Sequence, residues 1–166
     1  MKGRAPKTGY SPCSATPSTP VPCSTGAATS YSRPCSPRCW TKIETKITAG
    51  EIGAVDAVRD ELDRHDDDTR RWARAQHQLF HPLTEDVQRS TLTVLGQHPK
   101  LMGTGGNRNA AGPFVIGLAH ARGCVVVTEE TLSGRLDKPR IPDVCSALGL
   151  PWTNLVGFIG QQGWQF

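Results

Sequence analysis

Three carboxylates carry the chemistry that this sequence could perform. Glu129 and Glu130 follow directly on Cys124-Val125-Val126-Val127-Thr128, a short β-branched run that reads as a buried strand with acids at its exit. Ligands of open parallel sheets gather outside the carboxyl ends of the strands, so these acids stand where a site would be. Glu61 lies three residues after Val58 and one before Leu62. On a helix, that placement borders the buried stripe and lets the side chain turn into a cleft; Asp60 is the weaker candidate. Carboxylates converging on a cleft bind Mg²⁺ or Mn²⁺ through hard oxygens, and a pair of such ions activates water and steadies the leaving oxygen in phosphodiester hydrolysis. Glu61 and Glu130 are therefore the candidate metal ligands, and with Glu129 they are the candidate catalytic groups. The competing reading is that they are solvated surface groups.

Other reactive residue types form no such pattern. Of the five histidines, His65 sits in a charged run, His77 and His81 flank Phe80, and His98 and His120 lie near helix ends. None is paired at metal-ligand spacing, so all read as surface residues. Trp72, Trp152 and Trp164 fall at apolar phases and read as packing groups rather than base-stacking platforms. Gly103-Thr104-Gly105-Gly106-Asn107 lacks the Gly-Lys-Ser/Thr ending of a phosphate-binding loop and reads as a connector. Cys124 and Cys145 read as small buried, reduced thiols. A zinc site would need paired short-spaced cysteines, and in the first 40 residues only Cys35 and Cys39 are close.

The elements that must position the acids follow from periodicity. Trp40 to Ala49, with Ile43 and Ile47 four apart and Gly50 beyond, predicts a helix. Gly53 to Leu62, Asp67 to Phe80 and Thr84 to Leu95 predict three more. Pro113 suits the first turn of a helix running to Arg122, which Gly123 ends. After the Val125 to Thr128 strand and a polar loop over Thr131 to Arg140, Pro142 opens a short helix that Gly149 closes. Pro151 to Leu155 predicts a strand and Val156 to Gln162 a last helix. Helix, strand, helix, strand, helix implies an α/β fold with a parallel sheet.

Of the 166 residues, 37% are hydrophobic and 20% charged, which suits one domain. No apolar run approaches the length of a membrane span, no secretory signal is read, and a cytoplasmic location is expected. Residues 1–40 hold 23 Ser, Thr, Pro and Cys, five Lys or Arg, and no Asp, Glu, Leu, Ile or Phe, a composition that cannot build a core. This leader carries the net charge of +4, because residues 41–166 hold 14 basic and 15 acidic side chains, a net of −1. The folded part thus has no overall basic character of the kind nucleic-acid binders show.

From Ala110 to Phe166 the chain resembles an uncharacterised family of PIN-like proteins. The resemblance rests on Gly112-Pro113-Phe114-Val115-Ile116-Gly117-Leu118-Ala119, Val125-Val126-Val127-Thr128-Glu129-Glu130, Arg140-Ile141-Pro142-Asp143-Val144-Cys145 and the closing Gly163-Trp164-Gln165-Phe166. Upstream, Ala49-Gly50-Glu51-Ile52, Val55 to Leu62, the Asp66 run and Trp72-Ala73 are similar to the same family's middle. The resemblance implies a three-layer α/β/α sandwich and a Mg²⁺- or Mn²⁺-binding acidic cluster. It also implies the endoribonuclease activity of bacterial or archaeal toxins, with RNA as substrate and an antitoxin-like protein as partner. Glu61 matches the family's helical carboxylate, and Glu130, with Glu129 beside it, matches the acid after the strand.

Two acids of the family pattern are absent. No hydrophobic strand ending in Asp precedes Trp40, so the first strand is expected to be missing. Gly112 stands where a second Asp is expected, and glycine offers no oxygen to a metal. The leader reads either as a disordered arm or as an out-of-frame segment of a G/C-rich gene. Read from the third base of each codon, Pro34-Cys35-Ser36-Pro37 permits Val-Phe-Pro. Two functions follow as expectations: an impaired metal-dependent ribonuclease, or a non-catalytic protein-interaction module of the same fold.

Overall fold

The computed structural model describes residues 12–13, 37–63, 68–102 and 111–165. The leader other than 12–13 and 37–40, the glycine-rich connector and His65 lie outside the described residues. Helix α1 runs Pro37–Thr48, three residues longer at its start than the periodicity predicts, because Pro37 is suited to a first helical turn. Its buried stripe is Cys39, Ile43 and Ile47, so the end of the leader does enter the core.

Next come β2 (Ala54–Val55), α2 (Asp56–Leu62), α3 (Asp68–Ala75) and β3 (Phe80–His81). The sequence predicts only helices here. Each strand is two residues long, too short to show a period of two against a helical pattern. They pair in parallel, Ala54 with Phe80 and Val55 with His81. Gly53 permits this approach, since a side chain there would overlap the His81 ring.

Helix α4 (Glu85–Gln97) is followed by a 3-10 turn, Pro99–Met102. Helix α5 (Gly112–Arg122) ends on Gly123 at φ +64°, a left-handed cap that glycine adopts without penalty. Strand β4 (Val125–Val127), α6 (Ile141–Ala147), β5 (Trp152–Thr153) and α7 (Leu155–Gln161) complete the order. Apart from the 3-10 turn, which the sequence does not predict, these elements follow the sequence expectation to within a few residues.

The central strand β4 is paired in parallel on both sides, with β5 through Val126–Trp152 and with β1 (Pro12–Cys13) through Pro12–Val125. The expectation that the first strand is missing is thus corrected. Two leader residues, from a segment with no strand pattern, occupy the place beside β4 where an open edge would otherwise remain. Pro12, which lacks an N–H, stands at the start of that strand, a position proline tolerates. The fold is α/β with parallel pairing in two small sheets, ordered β1-β4-β5 and β2-β3.

Helix α5 is buried along most of its length, with Val115, Ile116 and Ala119 at 0% exposure, as expected for a helix apolar on nearly every face. It packs against α4, β4, β1 and β2. Trp40 and Trp72 meet edge to face at 5.0 Å, and Trp164 meets Phe158 at 5.8 Å, so the tryptophans pack as the sequence suggests. Cys145 is a free, buried thiol, pushed up to about 12 by burial and then by the charge of Glu130. It is inert at neutral pH. Cys39 and Cys124 are buried but disulfide-bonded, which corrects the reduced state expected for Cys124. Spacing along the chain does not show which sulfurs approach closely enough to bond.

Candidate carboxylate edge

Three helices begin at the carboxyl end of the parallel strands, and each start is met by one of the three sequence-chosen carboxylates. Strand β4 delivers Thr128 to the edge, where its amide donates to the Thr153 carbonyl at 2.8 Å. From there the two glutamates diverge. Glu129 Oε1 accepts from the Leu155 amide at 2.8 Å, the first residue of α7. Glu130 Oε2 accepts from the Ile141 amide at 2.8 Å, the first residue of α6.

Glu61 belongs to the same edge. Helix α5 enters β4 through only two residues, Gly123 and Cys124. It must therefore run antiparallel to β4, which puts its N-terminus at the strand's carboxyl end. There the Ala111 amide donates to Glu61 Oε1 at 2.8 Å, across 50 residues of sequence.

The local reason is the chemistry of the caps. The first amides of a helix have no intrahelical partner. Neither Ala111, the cap of α5, nor Arg140, the cap of α6, has a side-chain oxygen to offer them. The fold supplies carboxylates from elsewhere, which also face the positive end of the helix dipole. Helix α7 has its own acceptor, Asn154, which takes the Gly157 amide at 2.8 Å, and Glu129 adds a second. Glu61 and Glu130 are half-buried while Glu129 and Asp60 are exposed. Glu61 and Glu130 each accept a main-chain amide at a helix start.

A fourth carboxylate, to which the sequence assigns no role, lies close by in the chain. Asp143, 5% exposed, accepts from the Arg140 amide at 2.8 Å, the Gly134 amide at 2.9 Å, and the Ser133 amide at 3.0 Å and hydroxyl at 2.7 Å. It caps α6 from its third position and folds the 131–140 loop back over the edge. Acidic residues at that position of a helix are a recognisable capping signal. Gly134, at φ +68°, makes the turn that aims two successive amides at this one side chain.

Burial alone would raise the Asp143 carboxyl, but hydrogen bonds from Arg140, Ser133 and Gly134 hold it below the usual carboxylate value. A depressed folded-state value means that this contribution to stability is complete above the ordinary carboxylate range and is lost as pH falls through the folded value. The urea midpoint of the parent is expected to fall between pH 5 and pH 3 more steeply than that of Asp143→Asn. Parallel curves for the two proteins would show that Asp143 does not carry the acid sensitivity.

Among the described residues, no group of three or more His, Cys, Asp or Glu side chains stands close enough to hold a metal ion. The structure brings Glu61, Glu129 and Glu130 to three helix starts on one edge, but it does not gather them into such a group. Of the described histidines, His77, His81 and His120 are exposed, and His120 Nδ1 bonds the Ser90 hydroxyl at 2.7 Å, joining α5 to α4.

A family model described as a domain of unknown function, DUF4411, matches residues 23–166. The chain belongs to the DUF4411 family. The match spans every element from α1 to α7, including all three edge carboxylates, and reaches back into the Ser/Pro/Thr/Cys-rich leader. No curated protein and no solved structure matches this DUF4411 chain. No helix among its described residues is long and apolar enough to cross a membrane.

Proposed function

We propose that this DUF4411 protein is a PIN-like α/β/α sandwich descended from a metal-dependent endoribonuclease of the toxin–antitoxin type, with impaired activity in this copy. The observation that carries the reading is the bond from Glu61 to the start of α5. It puts a carboxylate from a distant helix on the edge where β4 presents Glu130. Both side chains offer hard carboxylate oxygens. Mg²⁺ is commonly held through one or two carboxylates together with water and phosphate oxygens, so the donor chemistry fits that ion or Mn²⁺. When bound, the cation supplies Lewis acidity toward a phosphodiester.

The protein's own part is orientation. The Ala111 and Ile141 amides fix the direction of Glu61 and Glu130, and Glu129 ties α7 to the same strand exit. Gly112 stands where an acid would deepen the oxygen shell, so this reading predicts weak metal binding and slow turnover. RNA is the substrate in this reading, and an antitoxin-like protein is the partner that would hold the enzyme in check.

A second reading is favoured by the same hydrogen bonds: each carboxylate already caps a helix, so the edge can be purely structural in a protein-interaction module. Incubation of the chain with single-stranded RNA and Mg²⁺ or Mn²⁺ separates the two. The nuclease reading predicts slow cleavage that a chelator stops and that Glu61→Gln and Glu130→Gln each abolish with the circular dichroism spectrum unchanged. No cleavage at any metal concentration supports the module, whereas cleavage that survives both substitutions contradicts the roles given to Glu61 and Glu130.

A further inference from the structure

Strand β4 has two neighbours, and the chain holds them in different ways. On one side the Val126 and Thr128 amides donate to the Pro151 and Thr153 carbonyls at 2.9 and 2.8 Å, and β5 leads within one residue into α7. On the other side lies β1, two residues long. Successive amides of a strand point to opposite sides, so those of Val125 and Val127 face β1.

The pairing with β1 has little of its own to hold it. Residues 1–36 contain no Leu, Ile, Phe or Trp to bury alongside the strand, and Pro12 brings no N–H to the ladder. So short a strand, on these terms, opens at small cost in free energy.

A covalent bond supplies what the ladder lacks. Cys124 stands one residue before Val125, which pairs with Pro12, and it is 5% exposed and disulfide-bonded. Of the six cysteines in the chain, Cys145 is free, so the partner of Cys124 is Cys13, Cys23, Cys35 or Cys39. All four belong to the leader. Whichever sulfur completes it, the bond runs from the start of β4 to the leader and closes a loop of more than half the chain. It anchors the leader at the end of β4 where β1 pairs.

We propose that the disulfide of Cys124 is a redox latch: it keeps β1 seated on β4 in the oxidised protein, and its reduction releases β1 from the strand that presents Glu129 and Glu130. The latch goes beyond the nuclease reading and is independent of it, since it needs neither metal nor RNA. The reductant is a dithiol. One of its thiolates attacks the disulfide, forming a mixed disulfide and expelling one protein thiolate, and its second thiol then displaces the other protein sulfur. Two electrons and two protons pass to the protein, which ends with two thiols, while the reductant leaves as a disulfide. Reducing surroundings therefore favour the open form and oxidising surroundings the closed one. In the open form β4 is an edge strand, with unpaired backbone groups along the side that β1 had covered.

The test uses the full chain, air-oxidised, with dithiothreitol as the dithiol. Trypsin without reductant is expected to release peptide 123–135, which carries Cys124, joined to peptide 8–38 or 39–42 of the leader. Hydrogen exchange at single amides, followed by NMR once the free-thiol count shows the bond reduced, then reads the strand. Dithiothreitol is expected to speed exchange at Val125 and Val127 by roughly tenfold or more, with less than about a twofold change at Val126 and Thr128, as the local loss of one neighbour requires. Cys124→Ala should show the fast exchange at Val125 and Val127 without reductant, and dithiothreitol should add nothing there.

An unlinked peptide 123–135, a bond that dithiothreitol leaves intact in the folded protein, or unchanged exchange at Val125 and Val127 after reduction overturns the latch. Protection retained at those two amides in Cys124→Ala does so as well. Equal acceleration at all four amides also overturns it, because the bond then steadies the whole fold and not one strand. If Cys124→Ala does not fold, reduction of the parent decides between the same outcomes. Failure of the nuclease reading shows separately, as missing RNA cleavage, and leaves every one of these measurements untouched.

Discussion

Gly117→Ala is expected to destabilise the protein by about 3 kcal/mol, the upper part of the range for overpacking a well-filled interior. Helices α4 and α5 form the most extensive helix pair among the described residues, and Gly117 of α5 lies directly against Thr91 of α4. A methyl group there would overlap the Thr91 side chain and come within 3.0 Å of its Cα. Thr91 cannot easily turn away, because it is 2% exposed and its hydroxyl donates to the Val87 carbonyl at 2.8 Å.

The helices would have to separate, moving the Ala111 end of α5 relative to Glu61. The effect should appear as a lower urea midpoint with an unchanged slope. Gly96→Ala, on the partner helix α4, is the control: nothing lies within 4 Å of its added carbon, and alanine in a helix is favoured over glycine by roughly 0.5–1 kcal/mol. If Gly117→Ala unfolds at the same midpoint as the parent, the close α4–α5 packing described here is wrong.

The second large effect concerns Glu130. Its bond to the Ile141 amide is charge-assisted, and truncation to alanine leaves the start of α6 without that acceptor. Hydrogen bonds to charged groups contribute about 1.5–3 kcal/mol, and partial exposure puts this one at the lower end, about 1.5 kcal/mol. Glu130→Gln keeps an acceptor oxygen and should lose less than half of that. The two variants therefore separate the structural role from the chemical one. Stability distinguishes alanine from glutamine, whereas metal-dependent cleavage should vanish in both. Equal stability of Glu130→Ala and the parent would remove the capping role, and cleavage by Glu130→Gln at the parental rate would remove the metal role.

Much of this architecture is legible in the sequence because it rests on local signals. Helix α4 shows its apolar stripe. Helices α5 and α6 show a proline in the first turn and a glycine past the end. Strand β4 is a bare run of valines that ends on its acids. The two-residue strands are not legible, because their existence is a fact about neighbours. Ala54-Val55 and Phe80-His81 become strands only by pairing with each other, and Pro12-Cys13 becomes one by lying beside β4.

The same holds for the site. That Glu61 and Glu130 are candidates can be read from their positions at the border of a stripe and the exit of a strand. That they bind the Ala111 and Ile141 amides cannot be read directly. A clue is nonetheless present, since a helix that starts at Ala111 or Arg140 has no acceptor of its own and must borrow one. Asp143, three residues into α6, carries the same kind of signal, which is easily passed over in a search for metal ligands. The bonded state of Cys39 and Cys124 leaves no such trace, because sulfur pairing depends on distances in space.

The account stands on a divalent cation binding between Glu61 and Glu130. The direct measurement is a crystal of the full chain soaked in Mn²⁺, with anomalous diffraction recorded at the manganese absorption edge. A peak about 2.2 Å from a carboxylate oxygen of each residue, a little longer than the spacing of Mg²⁺ to its ligands, is the predicted result. No peak on that edge at millimolar Mn²⁺, with both side chains still bonded to the Ala111 and Ile141 amides, would contradict it and leave the carboxylates as helix caps alone.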